Sequence, residues 1–145
     1  MRGEVPAMKL ADPRIQQYLA GKEIVVLGTI NPDGSPLLTA MWFLHDPTAM
    51  TLISVDNLRK VHNLRRDPRL HIVAESGTRG AEIKGVAIRG RAEFLGDSPE
   101  RRELATRMLD KYHPHLAEYW GGRTMPANRV MWRVVPQQVR TWGLD

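Results

Sequence analysis

The stretch IVVLGTINPDGSPLLTAMWFL, residues 24–44, decides the fold. Ile24 to Ile30 is apolar and rich in β-branched side chains, as a strand requires. Asn31-Pro32-Asp33-Gly34 then sets four turn formers in a row, and Pro36 to Leu44 resumes an extended pattern that carries Trp42 and Phe43. The segment reads as a β-hairpin. Upstream of it, Asp12-Pro13 pairs a capping carboxylate with a residue preset to helical φ, and Ile15, Tyr18 and Leu19 repeat at helical spacing as far as Gly21. Downstream, His45-Asp46-Pro47-Thr48 turns the chain into a third strand, Met50 to Val55.

Asn57 to Arg66 places Leu58, Val61 and Leu64 three apart, a one-sided stripe on a short helix that Asp67-Pro68 ends. Leu70 to Glu75 reads as a strand, Ser76 to Gly80 as a loop, and Glu82 to Leu95 as a long extended stretch in which Gly85 and Gly90 mark bends. Ser98-Pro99 opens a second amphipathic helix through Tyr112, which Pro114 stops. Val130 to Val135 and Val139 to Trp142 form a last strand, and Pro136 between them predicts a place near a sheet edge. Six or seven strands joined by hairpins, with two or three helices, predict a mainly β architecture: an antiparallel barrel with peripheral helices. Residues 1–145 read as a single domain, with 1–21 as an N-terminal helical segment and 98–112 as a peripheral helix.

The chain has no cysteine, which excludes disulfides, thiolate catalysis and Cys-ligated metals. His113-Pro-His115 is the one close histidine pair, and it lacks a third ligand, so no metal site is expected. There is no G-x-S-x-G or S-x-x-K motif for nucleophilic catalysis, and neither G-x-G-x-x-G nor a Walker A sequence. No run is long and apolar enough for a membrane span, and the first ten residues lack a signal-peptide core, so a cytoplasmic location is expected. The net charge is +5, and Arg59 to Arg69 concentrates five Lys or Arg against the single Asp67. Two readings of that run compete: a solvated helix face, or an anion site in which Arg59 and Lys60 join the N–H groups of a first helical turn. One short basic patch without interleaved aromatics is a small footprint for nucleic acid, which is not the expected partner.

Taken in order, LGTINPDGSPLLTAMWF, ISVDNLRKVHNLRRDPRLHIVAE, GVAIRGRAEF and RVMWRVVPQQVRTW resemble the split β-barrel flavin and deazaflavin oxidoreductases of the pyridoxamine 5'-phosphate oxidase superfamily. The likeness runs from Leu19 to Trp142. It implies a six-stranded antiparallel split barrel of the FMN-binding type, assembled as a homodimer with a cofactor in each groove between subunits. It also implies that Arg59 and Lys60 grip the cofactor phosphate with Asn63 nearby, and that Thr39, Ala40, Met41 and Trp42 lie beside the tricyclic ring. Ser54 and Asn57 would approach the ribityl chain or phosphate, and Arg140 and Trp142 would reach the partner's cofactor. Of Trp42 and Phe43, one is expected in the core, since alternate strand residues face opposite ways.

The branch most resembled uses coenzyme F420, with Arg65, Arg66 and Arg69 as an outer track for its acidic tail. FMN is the alternative, because Leu58 replaces a basic residue common in that branch and Arg59 sits directly beside Lys60. The implied activity is hydride transfer to a small conjugated acceptor with no catalytic side chain. A non-catalytic flavin- or haem-binding barrel is the competing class.

Overall fold

The computed structural model describes residues 9–144. Helix α1 (Pro13–Ala20) starts where Asp12 accepts the Arg14 N–H at 2.9 Å, and it buries Ile15 and Leu19. Strands β1 (Val25–Ile30) and β2 (Pro36–Met41) form the hairpin, in register from Val25↔Met41 to Ile30↔Pro36. Gly34 takes φ +87° in its turn, a conformation that favours glycine, and Asp33 braces the turn through the Ser35 N–H and hydroxyl.

After Trp42 and Phe43 come β3 (Leu44–His45) and β4 (Met50–Val55), then α2 (Arg59–Arg66), β5 (Arg69–Ser76) and β6 (Lys84–Phe94). Helices α3 (Pro99–Lys111) and α4 (His115–Trp120) follow, and β7 (Arg129–Trp142) closes the chain. All pairings are antiparallel in one seven-stranded sheet of order β2-β1-β5-β6-β7-β4-β3.

The two end strands of that sheet, β2 and β3, are joined by only Trp42 and Phe43. Laid flat, seven strands would hold them about 29 Å apart, at roughly 4.8 Å per strand. The link from Met41 to Leu44 spans at most about 11 Å. The sheet must therefore curl until its ends nearly meet, which makes it a half-barrel. Inside lie Leu27, Phe43, Leu52, Ile72, Ile88 and Trp132. The next residues along two strands, Ile53 and Met131, face outward onto Met108, Leu109 and Trp120 of α3 and α4. Both faces of β4 and of the first half of β7 are thus covered, which fits the adjacent apolar pairs Leu52-Ile53 and Met131-Trp132, one residue of each pair facing each way.

Three expectations need correction. The sheet has seven strands rather than six, because the segment read as one strand from Pro36 to Leu44 breaks at Trp42-Phe43 and its end pairs with β4 instead. The last strand is continuous through Pro136 rather than interrupted there; it lies between β6 and β4 as far as Val134, and beyond that residue it pairs with β6 alone, the open edge that Pro136 predicts. Pro136 is tolerated there because pairing with β4 ends at Val134, and because the register with β6 shifts beside it, Arg89 facing Gln138 and Gly90 facing Pro136. Finally, α3 ends at Lys111, ahead of Pro114 as expected, but a further helix that was not expected, α4, begins directly after that proline. Of the N-terminal helical segment, residues 1–8 lie outside the described residues.

Gly85 shows why a glycine interrupts β6. The Trp142 indole lies directly on its Cα, and any Cβ there would overlap the ring. Gly85→Val is expected to destabilise by about 1–3 kcal/mol through overpacking. Urea unfolding would read this, and adding Trp142→Ala should return part of the loss.

Candidate functional site

A cleft of about 410 Å³ opens where the C-terminal end of β2 meets β4, α2 and the α3–α4 pair. Ala40, Met41 and Trp42 line it from β2 and the link, Ser54 from β4, and Lys60 from α2. The fold therefore brings together five positions that the resemblance implied lie near a cofactor. Phe43 is wholly buried while Trp42 lines the cleft, the division expected of neighbouring residues on an extended chain.

The remaining positions lie elsewhere. Thr39 is on the opposite face of β2 from Ala40, its hydroxyl buried without a hydrogen-bond partner. Asn57 and Arg59 are exposed at the start of α2 and do not line the cleft. Asn63 is fully buried. Its amide donates to Thr29 Oγ1 at 3.1 Å and Asn31 Oδ1 at 2.9 Å, pinning α2 to the hairpin. Arg140 and Trp142 sit at the far end of β7 from Arg129, which does line the cleft.

The three arginines expected as an outer track are engaged within the chain. Arg65 lies over the Phe94 ring at 4.4 Å, and Arg66 donates to Ile30 O and to Asn63 Oδ1. Arg69 pairs with Asp67 at 2.7 Å, and its hydrogen bonds bring the Asp67 carboxyl down to about 2.

Several lining residues were not anticipated: Arg129 at the start of β7, and Leu116, Tyr119 and Trp120 from α4. Trp42 links these walls, stacking on Tyr112 at 4.5 Å and 8° and meeting Tyr119 at 6.2 Å and 58°. The signal for α4 was present in the sequence as Leu116, Tyr119 and Trp120 at i, i+3, i+4, but His113-Pro114 read as a stop.

The electrostatics of the cleft are one-sided. Among the described residues Lys60 and Arg129 line it, and no carboxylate does. Lys60 is half-buried, and desolvation alone holds its amine below the usual lysine range. Among the described residues it makes no ion pair. Helix α2 has no side-chain cap at Leu58, so its first-turn N–H groups add to the same positive potential. An ammonium desolvated beside apolar walls without a counter-charge suits an anionic group carried on a flat apolar body. Among the described residues no group of three or more His, Asp or Glu gathers as a metal site, and no helix is long and apolar enough to cross a membrane.

A curled antiparallel sheet with helices against one side, its cleft cationic at one edge and aromatic at the other, is a split β-barrel of the flavoprotein type. Residues 11–143 match the family model described as pyridoxamine 5'-phosphate oxidase, and the chain belongs to that family. Among solved structures it is similar to a conserved hypothetical protein from Mycobacterium tuberculosis, at 26% identity and TM-score 0.81, covering 99% of this chain and 91% of that one. It shares its fold with the haem storage protein HutZ from Vibrio cholerae (17% identity, TM-score 0.74, 92% and 94% covered). It likewise shares its fold with an FAD-binding protein from Mesorhizobium loti (22% identity, TM-score 0.68, 87% of each chain).

Proposed function

We propose that the chain is an oxidoreductase that binds a phosphorylated tricyclic cofactor in this cleft, coenzyme F420 in the first reading and FMN in the second. It would serve hydride transfer to a small conjugated acceptor. The observation that carries this is Lys60, a half-buried cation that among the described residues has no anionic partner, in a cleft lined mainly by apolar and aromatic side chains. The residues present fit such a group. Lys60 and the first-turn N–H groups of α2 would hold the phosphate, with Arg59 as an outer charge. The small side chain of Ala40 leaves room for a ring, and Trp42, Tyr119 and Trp120 would keep water from it. When bound, the ring itself supplies the hydride chemistry, so the chain need only bind, orient and shield.

The order of F420 before FMN rests on the resemblance of the four segments. With Arg65, Arg66 and Arg69 engaged, Arg129 is the cleft cation left for an acidic tail. The FAD-binding protein of the same fold supports the flavin class. Likeness to the haem storage protein supports the haem alternative, although no histidine lines the cleft among the described residues. Parallel titrations with F420, FMN and haem, followed by absorbance, test this: saturable binding of F420 or FMN is expected. Binding of haem alone, or of none of the three, would overturn it.

The active unit in this reading is a homodimer. Leu38, 65% exposed, shares a face of β2 with Ala40, and Ile24, 49% exposed, lines the cleft beside it, an apolar surface suited to a second copy. In such a pair Arg140 and Trp142 of one subunit would serve the other's cleft. Sedimentation at micromolar concentration should give a dimer, and Leu38→Glu should give a monomer with weakened cofactor binding. A wild-type monomer that binds cofactor stoichiometrically would defeat the interface.

A further inference from the structure

The link that closes the half-barrel is held by two side chains to which the proposed function gives no role. Phe43 lies between β2 and β3, so neither strand ladder supplies partners for its buried backbone groups. Side chains at the end of α3 supply them instead. The Phe43 N–H donates to the Tyr112 hydroxyl at 3.0 Å, and the Lys111 ammonium donates to Phe43 O at 2.8 Å. The Tyr112 hydroxyl has one proton, and its shortest acceptor is Glu23 O at 2.6 Å, ahead of Phe43 O at 3.1 Å. One phenol thus joins the entry to β1, the β2–β3 link and the end of α3.

The same two residues grip the link by their contacts with rings. Lys111 Nζ sits 3.7 Å from the centroid of Phe43, and the Tyr112 ring is stacked on Trp42, the residue that faces the cleft. Burial of the ammonium end brings the Lys111 amine down to about 8, against the pull of Glu23, and burial pushes the Tyr112 phenol up to about 12. Neither group lines the cleft.

We propose that Tyr112 and Lys111 are positioning residues: by pairing both backbone groups of Phe43 and stacking on Trp42, they set the orientation of the Trp42 wall and hence the affinity of the cleft for a flat ring. The affinity part rests on the cofactor reading above; the orientation part does not.

Tyr112→Phe keeps the stacking ring and removes the hydroxyl. Near-UV circular dichroism of ligand-free protein reads Trp42 when each spectrum is taken as a difference from its Trp42→Phe counterpart. Tyr112→Phe and Lys111→Met should each reduce that difference signal, while Lys111→Arg should restore it. Where F420 or FMN binds the wild type, Tyr112→Phe should weaken it roughly three- to tenfold, the worth of one hydrogen bond. In a Trp42→Phe background the same change should have little further effect, because the coupling runs through Trp42. An unchanged Trp42 signal, or an affinity loss equally large without Trp42, would overturn the proposal. If the wild type binds neither cofactor, the cofactor reading fails, and the spectral comparison still decides whether these residues orient Trp42.

Discussion

Lys60→Ala weakens F420 or FMN binding by about 10- to 150-fold, the expected result of removing one charge-assisted hydrogen bond worth roughly 1.5–3 kcal/mol. In the free protein the Lys60 ammonium is partly stripped of water and, among the described residues, has no carboxylate in return. A phosphate would supply the missing charge, so binding relieves a cost already present in the fold. Lys60→Arg should recover part of the affinity, since charge is kept but the shape of the donor changes. Arg59→Ala should cost less, because that side chain is exposed and screened by salt.

The pH dependence has a definite sign. Burial lowers the Lys60 pKa in the free protein, and a bound anion favours the protonated form. Affinity therefore falls as pH rises through that lowered pKa, starting below the usual lysine range, and Lys60→Ala should remove this fall. Isothermal titration at several pH values would check it. An unchanged dissociation constant in Lys60→Ala would take the phosphate away from α2.

Which parts of this site could be read from residues alone follows from how local the signals are. The hairpin was legible because Asn31-Pro32-Asp33-Gly34 fixes a turn within four residues, and alternation then sets both strands. Lys60 was legible because helix position and charge coincide in one short segment. The break at Trp42-Phe43 was not, since its cause is the closure of the sheet, a property of all seven strands that no local pattern records. Pro136 was legible as a place near an edge, since β7 pairs with β6 alone beyond Val134, but not as part of a continuous strand, because the shifted register with β6 that carries the chain past it is set across the sheet. Arg129 was invisible because its place in the cleft is set by pairing with Val55, across a sheet and far along the chain.

Asn63 shows the same limit from the other side. The resemblance implied a place near the cofactor phosphate, yet the side chain points into the fold and spends its amide on Thr29 and Asn31. Asn63→Leu should therefore act on stability. Thr29 is buried and its hydroxyl would lose this partner, as would Asn31 and the Arg66 guanidinium that reaches Asn63 Oδ1. A buried polar group left unpaired costs about 1–3 kcal/mol, and leucine cannot replace any of the three bonds. The midpoint of urea unfolding should fall accordingly, with the slope unchanged. The folded fraction should still bind cofactor within about twofold of wild type, since surface or distant changes that leave a site intact shift little. Loss of affinity without loss of stability would instead put Asn63 in the cleft's own chemistry, and would mean that α2 turns on binding to present it.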